Sequence, residues 1–91
     1  PFRIINAGLT EDEHFLILNS IEGSSGNEVQ IKDLKNDKSV FKMLIPGFST
    51  ENTVIDNLGN KLLVHTNDGA ANYKVVLIDP ENPDPKNWKL M

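Results

Sequence analysis

The chain has 91 residues, 38% of them hydrophobic and 24% charged, with a formal net charge of −4 and a pI near 5.0. A chain this short can bury only a modest fraction of its surface. The acidic balance, with Arg3 as the only arginine and the lysines scattered, argues against nucleic acid, whose phosphates need clustered cations. There is no cysteine, which excludes disulfides and thiolate metal sites. No apolar run approaches the roughly 20 residues that cross a bilayer as a helix.

In chain order, a first strand is expected near residues 1–9. Thr10-Glu11-Asp12-Glu13 is a turn signal, and the apolar run Phe15-Leu16-Ile17-Leu18 predicts a strand near 13–21. Gly23-Ser24-Ser25-Gly26-Asn27 breaks the chain. Val29, Ile31 and Asp33-Leu34 then follow with a period of two, giving a strand near 27–35. Lys35-Asn36-Asp37-Lys38 is polar, and Val40 to Ile45 reads as a strand near 39–45 that Pro46-Gly47 ends.

The second half follows the same plan. Strands are expected near 51–56, 60–67, 71–79 and 86–91, with turns at Asn57-Leu58-Gly59-Asn60 and Asn67-Asp68-Gly69. Tyr73 to Ile78 is strongly β-prone. Asp79 to Asn87 carries three prolines and reads as a rigid loop. The best helical candidate, Glu11 to Ile21, has contiguous apolar residues and no stripe. The chain is therefore all-β.

The two halves align. His14 to Ser20 matches Lys61 to Asn67 at a spacing of 47, Ile31-Lys32-Asp33 matches Leu77-Ile78-Asp79 at 46, and Phe41-Lys42-Met43-Leu44 matches Trp88-Lys89-Leu90-Met91 at 47. Four short strands repeating at this period mark consecutive four-stranded antiparallel blades of a β-propeller, a first over 1–47 and a second over 48–91. The contiguous apolar runs fit, because a blade packs a neighbour on each face. An eight-stranded sandwich is the alternative.

No residue earns a catalytic, cofactor-binding or metal-binding role. Gly23-Ser24-Ser25-Gly26 lacks the Gly-x-Ser-x-Gly spacing of a nucleophile elbow and reads as a hairpin loop. His14 and His65 stand on different strands and read as packed strand residues, not as a base or zinc ligands. Glu11-Asp12-Glu13 reads as a solvated turn, because no calcium-loop pattern surrounds it. Phe41 and Trp88, equivalent in the repeat, read as packing aromatics. Pro80, Pro83 and Pro85 read as a rigid loop in preference to a polyproline ligand. Nothing calls for a cofactor.

Several stretches resemble the prolyl oligopeptidase family of serine peptidases. Leu9-Thr10-Glu11-Asp12-Glu13-His14-Phe15 resembles its blade-opening turn, and Asn27-Glu28-Val29-Gln30-Ile31-Lys32-Asp33-Leu34 the strand that follows. Thr66-Asn67-Asp68-Gly69-Ala70-Ala71-Asn72-Tyr73-Lys74-Val75-Val76 resembles its Thr-Asn…Asn-Tyr run. Ile78-Asp79-Pro80, Pro83, Pro85 and Asn87-Trp88-Lys89 resemble its Ile-Asp, proline-rich and Trp-Lys sequence. The likeness runs along nearly the whole chain. Glu13 stands where the family has Gly, which implies a different turn type. Ala71 replaces a proline. Glu28 stands where some members place a substrate-contacting Arg, and that role is not carried over.

The resemblance implies that the chain is a segment of a seven-bladed propeller, and its two ends read as cut. The parent would carry an α/β-hydrolase domain with a Ser-Asp-His triad, hydrolyse short peptides after proline, and use the propeller to exclude bulky substrates. The implied partners are that catalytic domain, the remaining blades and proline-containing peptides, with no nucleic acid and no membrane. A soluble cytoplasmic or periplasmic protein is implied. Open blade faces predict self-association of the segment. A propeller scaffold without peptidase activity is the other reading.

Overall fold

Short turns rich in Asp, Asn and Gly join strands of two to eight residues, so each strand folds back on the one before it. The computed structural model describes residues 3–23, 26–69 and 72–91. Strands β1 (Arg3–Leu9), β2 (Phe15–Glu22), β3 (Asn27–Asp33) and β4 (Lys42–Ile45) form one antiparallel sheet in sequence order. Strands β5 (Asn52–Leu58), β6 (Lys61–Thr66), β7 (Lys74–Ile78) and β8 (Lys89–Leu90) form a second sheet of the same topology. Bulges place an extra residue at Leu44 of β4, opposite Val29 and Gln30, and at Ile55 of β5, between Val54 and Asp56.

The sheets pack face to face. Alternation along the strands sends Phe15, Ile17, Val29 and Ile31 of the first sheet, and Leu62, Val64, Val76 and Ile78 of the second, into one buried cluster. Leu44 and Ile45 join it, and Val54 and Trp88 pack against its edge. Each fully buried aliphatic side chain contributes about 2 kcal/mol.

Among the described residues, one face of each sheet is covered by the other sheet. The intervening residues Leu16, Leu18, Leu63 and Leu77 are half-buried. The apolar runs of β2 and β6 are therefore two-faced, but a single face of each meets a partner within this chain.

The repeat is confirmed in detail and its register corrected in one strand pair. Asp33 and Asp79 make the same turn. Each carboxylate Oδ1 accepts the N–H two residues on, from Lys35 at 2.9 Å and from Glu81 at 3.0 Å. Each carbonyl accepts the N–H three residues on, from Asn36 and Asn82. The spacing of 46 therefore holds for β3 and β7. Ile31 lies opposite Ile17, and Leu77 opposite Leu63, so Ile17 corresponds to Leu63 at 46 also. The spacing of 47 that matches Phe15 to Leu62 is a one-residue slip, which exchanges the faces of a strand. Phe15 and Leu62 reach the shared core from opposite sides, which equivalent residues of two blades turned about one axis cannot do.

Two other expectations shift. The last segment is no six-residue strand: Pro85–Asn87 is a 3-10 turn, with Pro85 at its start and Asp84 Oδ1 accepting from Lys86 N at 3.0 Å, and β8 is two residues long. Glu13 adopts a left-handed φ of 61°. It takes the backbone conformation glycine favours, so its presence does not demand another turn type.

Candidate functional site

Side chains from both halves converge at the junction between the sheets. At one end, β3 opens with Asn27 and β5 with Asn52, both buried. Asn27 Nδ2 donates to the Asn52 carbonyl at 2.8 Å, and Asn52 N donates to Asn27 Oδ1 at 2.8 Å. Asn52 Nδ2 donates in turn to the Asn27 carbonyl at 2.9 Å. Thr66 Oγ1 donates to Asn52 Oδ1 at 2.6 Å, and Asn27 Nδ2 also reaches Asn19 Oδ1 at 3.1 Å. Two amides thus act as backbone partners across the gap, satisfying groups that burial would otherwise leave costly. Gly26 lets the chains approach: a Cβ there would meet the carbonyl oxygens of Thr50 and Phe48.

At the other end of β2, the turn after β1 reaches across to β5. Asn57 Nδ2 donates to Asp12 Oδ2 at 3.0 Å, and Glu11 N donates to Asp56 Oδ1 at 3.1 Å. Asp12 Oδ1 accepts from His14 N at 2.9 Å and from the Thr10 hydroxyl at 3.1 Å. The Asn57 amide, followed by the His14 N–H, holds the Asp12 carboxyl below its ordinary value. A third link, Lys42 Nζ to Glu81 Oε2 at 2.7 Å, is exposed.

Between the clamps lies an open cleft of about 530 Å³. Asn6, Gly8 and Asn19 of the first sheet face Asn52 and Val54 of the second, and Ile17 lies in its wall. Among the described residues, Glu51 is the only charged one lining it. Its carboxylate accepts the Tyr73 hydroxyl at 2.6 Å, and Tyr73 stacks on His65 with centroids 4.6 Å apart. That hydrogen bond, with a smaller desolvation effect, raises the Tyr73 hydroxyl above its ordinary value.

The residues singled out in the sequence are held in strands and turns. His14 Nε2 lies 3.1 Å from Asp33 Oδ1, and its ring stacks on Phe15 at 4.2 Å. His65 is the stacking partner of Tyr73. Glu28 Oε2 accepts the Gly47 N–H at 2.9 Å, pinning the crossing between the sheets where Gly47 has a φ of 84°. Trp88 Nε1 donates to the Pro83 carbonyl at 2.8 Å, so the prolines of this loop brace the aromatic. Phe41, its repeat partner, is exposed. Ser24, Ser25 and Ala71 lie outside the described residues. Among the described residues, no group of three or more His, Asp or Glu side chains is placed to hold a metal.

Sequence reasoning passed over Asn27 and Asn52. Asn is depleted in strands, and an Asn opening a strand in each half was the available signal.

Comparison with known proteins agrees with this architecture. The model of the family described as "Prolyl oligopeptidase, N-terminal beta-propeller domain" matches residues 1–91. The chain is 37% identical over 89 residues to the prolyl endopeptidase of Elizabethkingia miricola, covering 98% of this chain and 12% of that protein. A solved prolyl endopeptidase, from work on inter-domain dynamics in catalysis and specificity, superposes with a TM-score of 0.82 at 25% identity, over 97% of this chain and 13% of that one. Prolyl oligopeptidase B of Galerina marginata, bound to a 25mer macrocyclization substrate, shares the fold with a TM-score of 0.84 at 24% identity, over 99% of this chain and 13% of that one. The chain thus spans about an eighth of the length of these relatives, and it belongs to the N-terminal β-propeller domain family of the prolyl oligopeptidases.

Proposed function

We propose that this chain forms two neighbouring blades, divided near residues 47 and 48, in the propeller of a serine peptidase that hydrolyses short peptides after proline. In this reading the chain contributes no catalytic group. It shapes the gate above a hydrolase domain carried elsewhere in the parent, and admits substrates by size. The observation that carries the reading is the family match along all 91 residues. The clamped junction gives it a physical basis: a wall held by amide pairs at one end and a carboxylate–amide bond at the other resists parting, and so can exclude bulk. The remaining blades and the hydrolase domain are its proposed partners. Without them, the half-buried outer faces lead the 91-residue chain to self-associate.

The test uses the full-length parent. Hydrolysis of a short proline-containing chromogenic peptide is compared with cleavage of a folded protein bearing an exposed proline loop. The parent is expected to cut the first and spare the second. Asn27→Ala with Asn52→Ala, which loosens the wall, is expected to raise cleavage of the bulky substrate relative to the short one. A parent with no peptidase activity would reduce the chain to a binding scaffold. An unchanged ratio in the double variant would remove the gate.

A further inference from the structure

We propose that this chain withholds its own post-proline bonds from post-proline cleavage, with the Trp88 indole and the Glu28 carboxylate as the groups that hold them. For its purpose the shielding rests on the activity proposed above, because a peptidase of that specificity is surrounded by copies of itself. The gate acts on the size of a substrate. The shielding acts on this chain as a substrate.

Cleavage after proline breaks the bond between the proline carbonyl carbon and the next nitrogen. Water supplies the hydroxyl that completes the new carboxyl group and the proton that completes the new amine. On the way the carbonyl oxygen takes negative charge in an oxyanion hole, and the nitrogen takes a proton from a general acid. Both atoms must therefore be released from partners within the substrate.

Four of the five prolines lie among the described residues, and each of the four bonds that follow them has an atom tied within the chain. After Pro46, the Gly47 N–H donates to Glu28 Oε2 at 2.9 Å. After Pro80, the Glu81 N–H donates to Asp79 Oδ1 at 3.0 Å. After Pro83, the proline carbonyl accepts the Trp88 indole Nε1–H at 2.8 Å. After Pro85 both atoms are tied: the carbonyl accepts the Trp88 N–H at 3.1 Å, and the Lys86 N–H donates to Asp84 Oδ1 at 3.0 Å.

Two kinds of tie are present. Asp79 and Asp84 each reach the N–H two residues on, which an aspartate in a turn does from local chemistry. Glu28 lies 19 residues from Gly47, and the Trp88 indole reaches back five residues to Pro83, so the fold supplies these two. Trp88 packs against the core edge, and Lys74 Nζ lies 6.0 Å from its ring centroid. The indole is thus held by packing as well as by its N–H. Trp88 covers two neighbouring post-proline carbonyls, that of Pro83 through its ring and that of Pro85 through its backbone.

The experiment exposes the full-length parent, its own activity blocked by a serine-directed phosphonate, to a post-proline endopeptidase that has no propeller and accepts folded proteins. Mass spectrometry reads the new amino termini at Asp84 and Gly47, and circular dichroism verifies folding. The unaltered parent is expected to be cut slowly at both. Trp88→Phe keeps an aromatic ring and removes the indole N–H. It is expected to raise cleavage after Pro83 about fivefold, since proteolysis follows the population of the opened loop. Glu28→Ala is expected to do the same after Pro46, and Glu28→Gln, which keeps an acceptor, to restore protection. Each variant is expected to open its own bond alone. Equal rates in the parent and in either variant at its own bond overturn the shielding. Variants that open both bonds together overturn it also, because they have loosened the whole fold. A parent that hydrolyses no short proline-containing peptide, while these bonds stay shielded, removes the proposed function and leaves the withheld bonds standing.

Discussion

Asn27 and Asn52 exchange side-chain amides for each other's backbone across the junction: each carboxamide donates to the other's carbonyl, at 2.8 and 2.9 Å, and Asn27 Oδ1 accepts the Asn52 N–H at 2.8 Å. Neither residue belongs to the other's sheet. The pair therefore does between the sheets what ladder hydrogen bonds do within them.

The first prediction follows from that exchange. Asn52→Ala strips partners from Thr66 and from the Asn27 carbonyl, leaving buried polar groups unpaired, and is expected to cost about 3 kcal/mol. Asn27→Ala is expected to cost about 2 kcal/mol for the same reason. The double variant is expected to lose at least about 1 kcal/mol less than the sum, because the two act as one unit. Urea denaturation of the four proteins checks this, and simple additivity would contradict the clamp.

A second prediction concerns the turn into β2. Glu13 holds a φ of 61°, a conformation that costs a side-chain-bearing residue about 1 kcal/mol. Glu13→Gly is expected to leave stability unchanged or raise it by up to about 1 kcal/mol, since the relieved strain is offset by glycine's freedom in the unfolded chain. Glu13→Val is expected to lower it by about 1–2 kcal/mol, because a β-branched residue fits this region worst. Thermal unfolding ranks the three, and a valine variant as stable as the glycine one would refute the strain.

A third prediction is a pH dependence. Asp12 has a depressed carboxyl pKa, held chiefly by the Asn57 amide and then by the His14 N–H. A group depressed in the folded state adds stability above its unfolded pKa, and that stability is lost as pH falls through the folded one. The loss should begin just below pH 4 and continue downward. Asp12→Asn keeps an acceptor but cannot titrate, and is expected to flatten this acid limb. Asn57→Ala should shrink it. Urea midpoints between pH 2 and 6 measure it, and an acid limb unaltered by either change would remove Asp12 as its source.

A fourth prediction uses the chain's single tyrosine. The Tyr73 hydroxyl is raised above its ordinary value of 10.0, mainly by its hydrogen bond to the Glu51 carboxylate. Ionisation would place a phenolate beside a carboxylate at 2.6 Å. Ultraviolet titration reads this residue alone. Glu51→Gln is expected to bring the midpoint back toward the ordinary value, and an unmoved midpoint would break the assignment.

The strands were legible in the sequence because they rest on local physics. Runs such as Phe15 to Leu18 and Tyr73 to Ile78 are β-prone and bounded by Asp, Asn and Gly, and eight of them in a doubled order left little choice of class. The repeat was legible for the same reason, and Asp33 and Asp79 prove equivalent because each builds its own turn from nearby atoms. What the sequence could not decide was anything resting on a face. A match of apolar letters is nearly blind to a shift of one residue, since Phe15-Leu16-Ile17-Leu18 is apolar at every step. Only the packed sheets show that Leu16, not Phe15, is the counterpart of Leu62 in β6. The clamps were hidden likewise. Asn27 and Asn52 are 25 residues apart, and an asparagine that bridges two sheets has the same letter as one that ends a turn. Local propensity set the strands and their order. Long-range burial chose which side of each strand is core, and with it which polar atoms had to find one another across the junction.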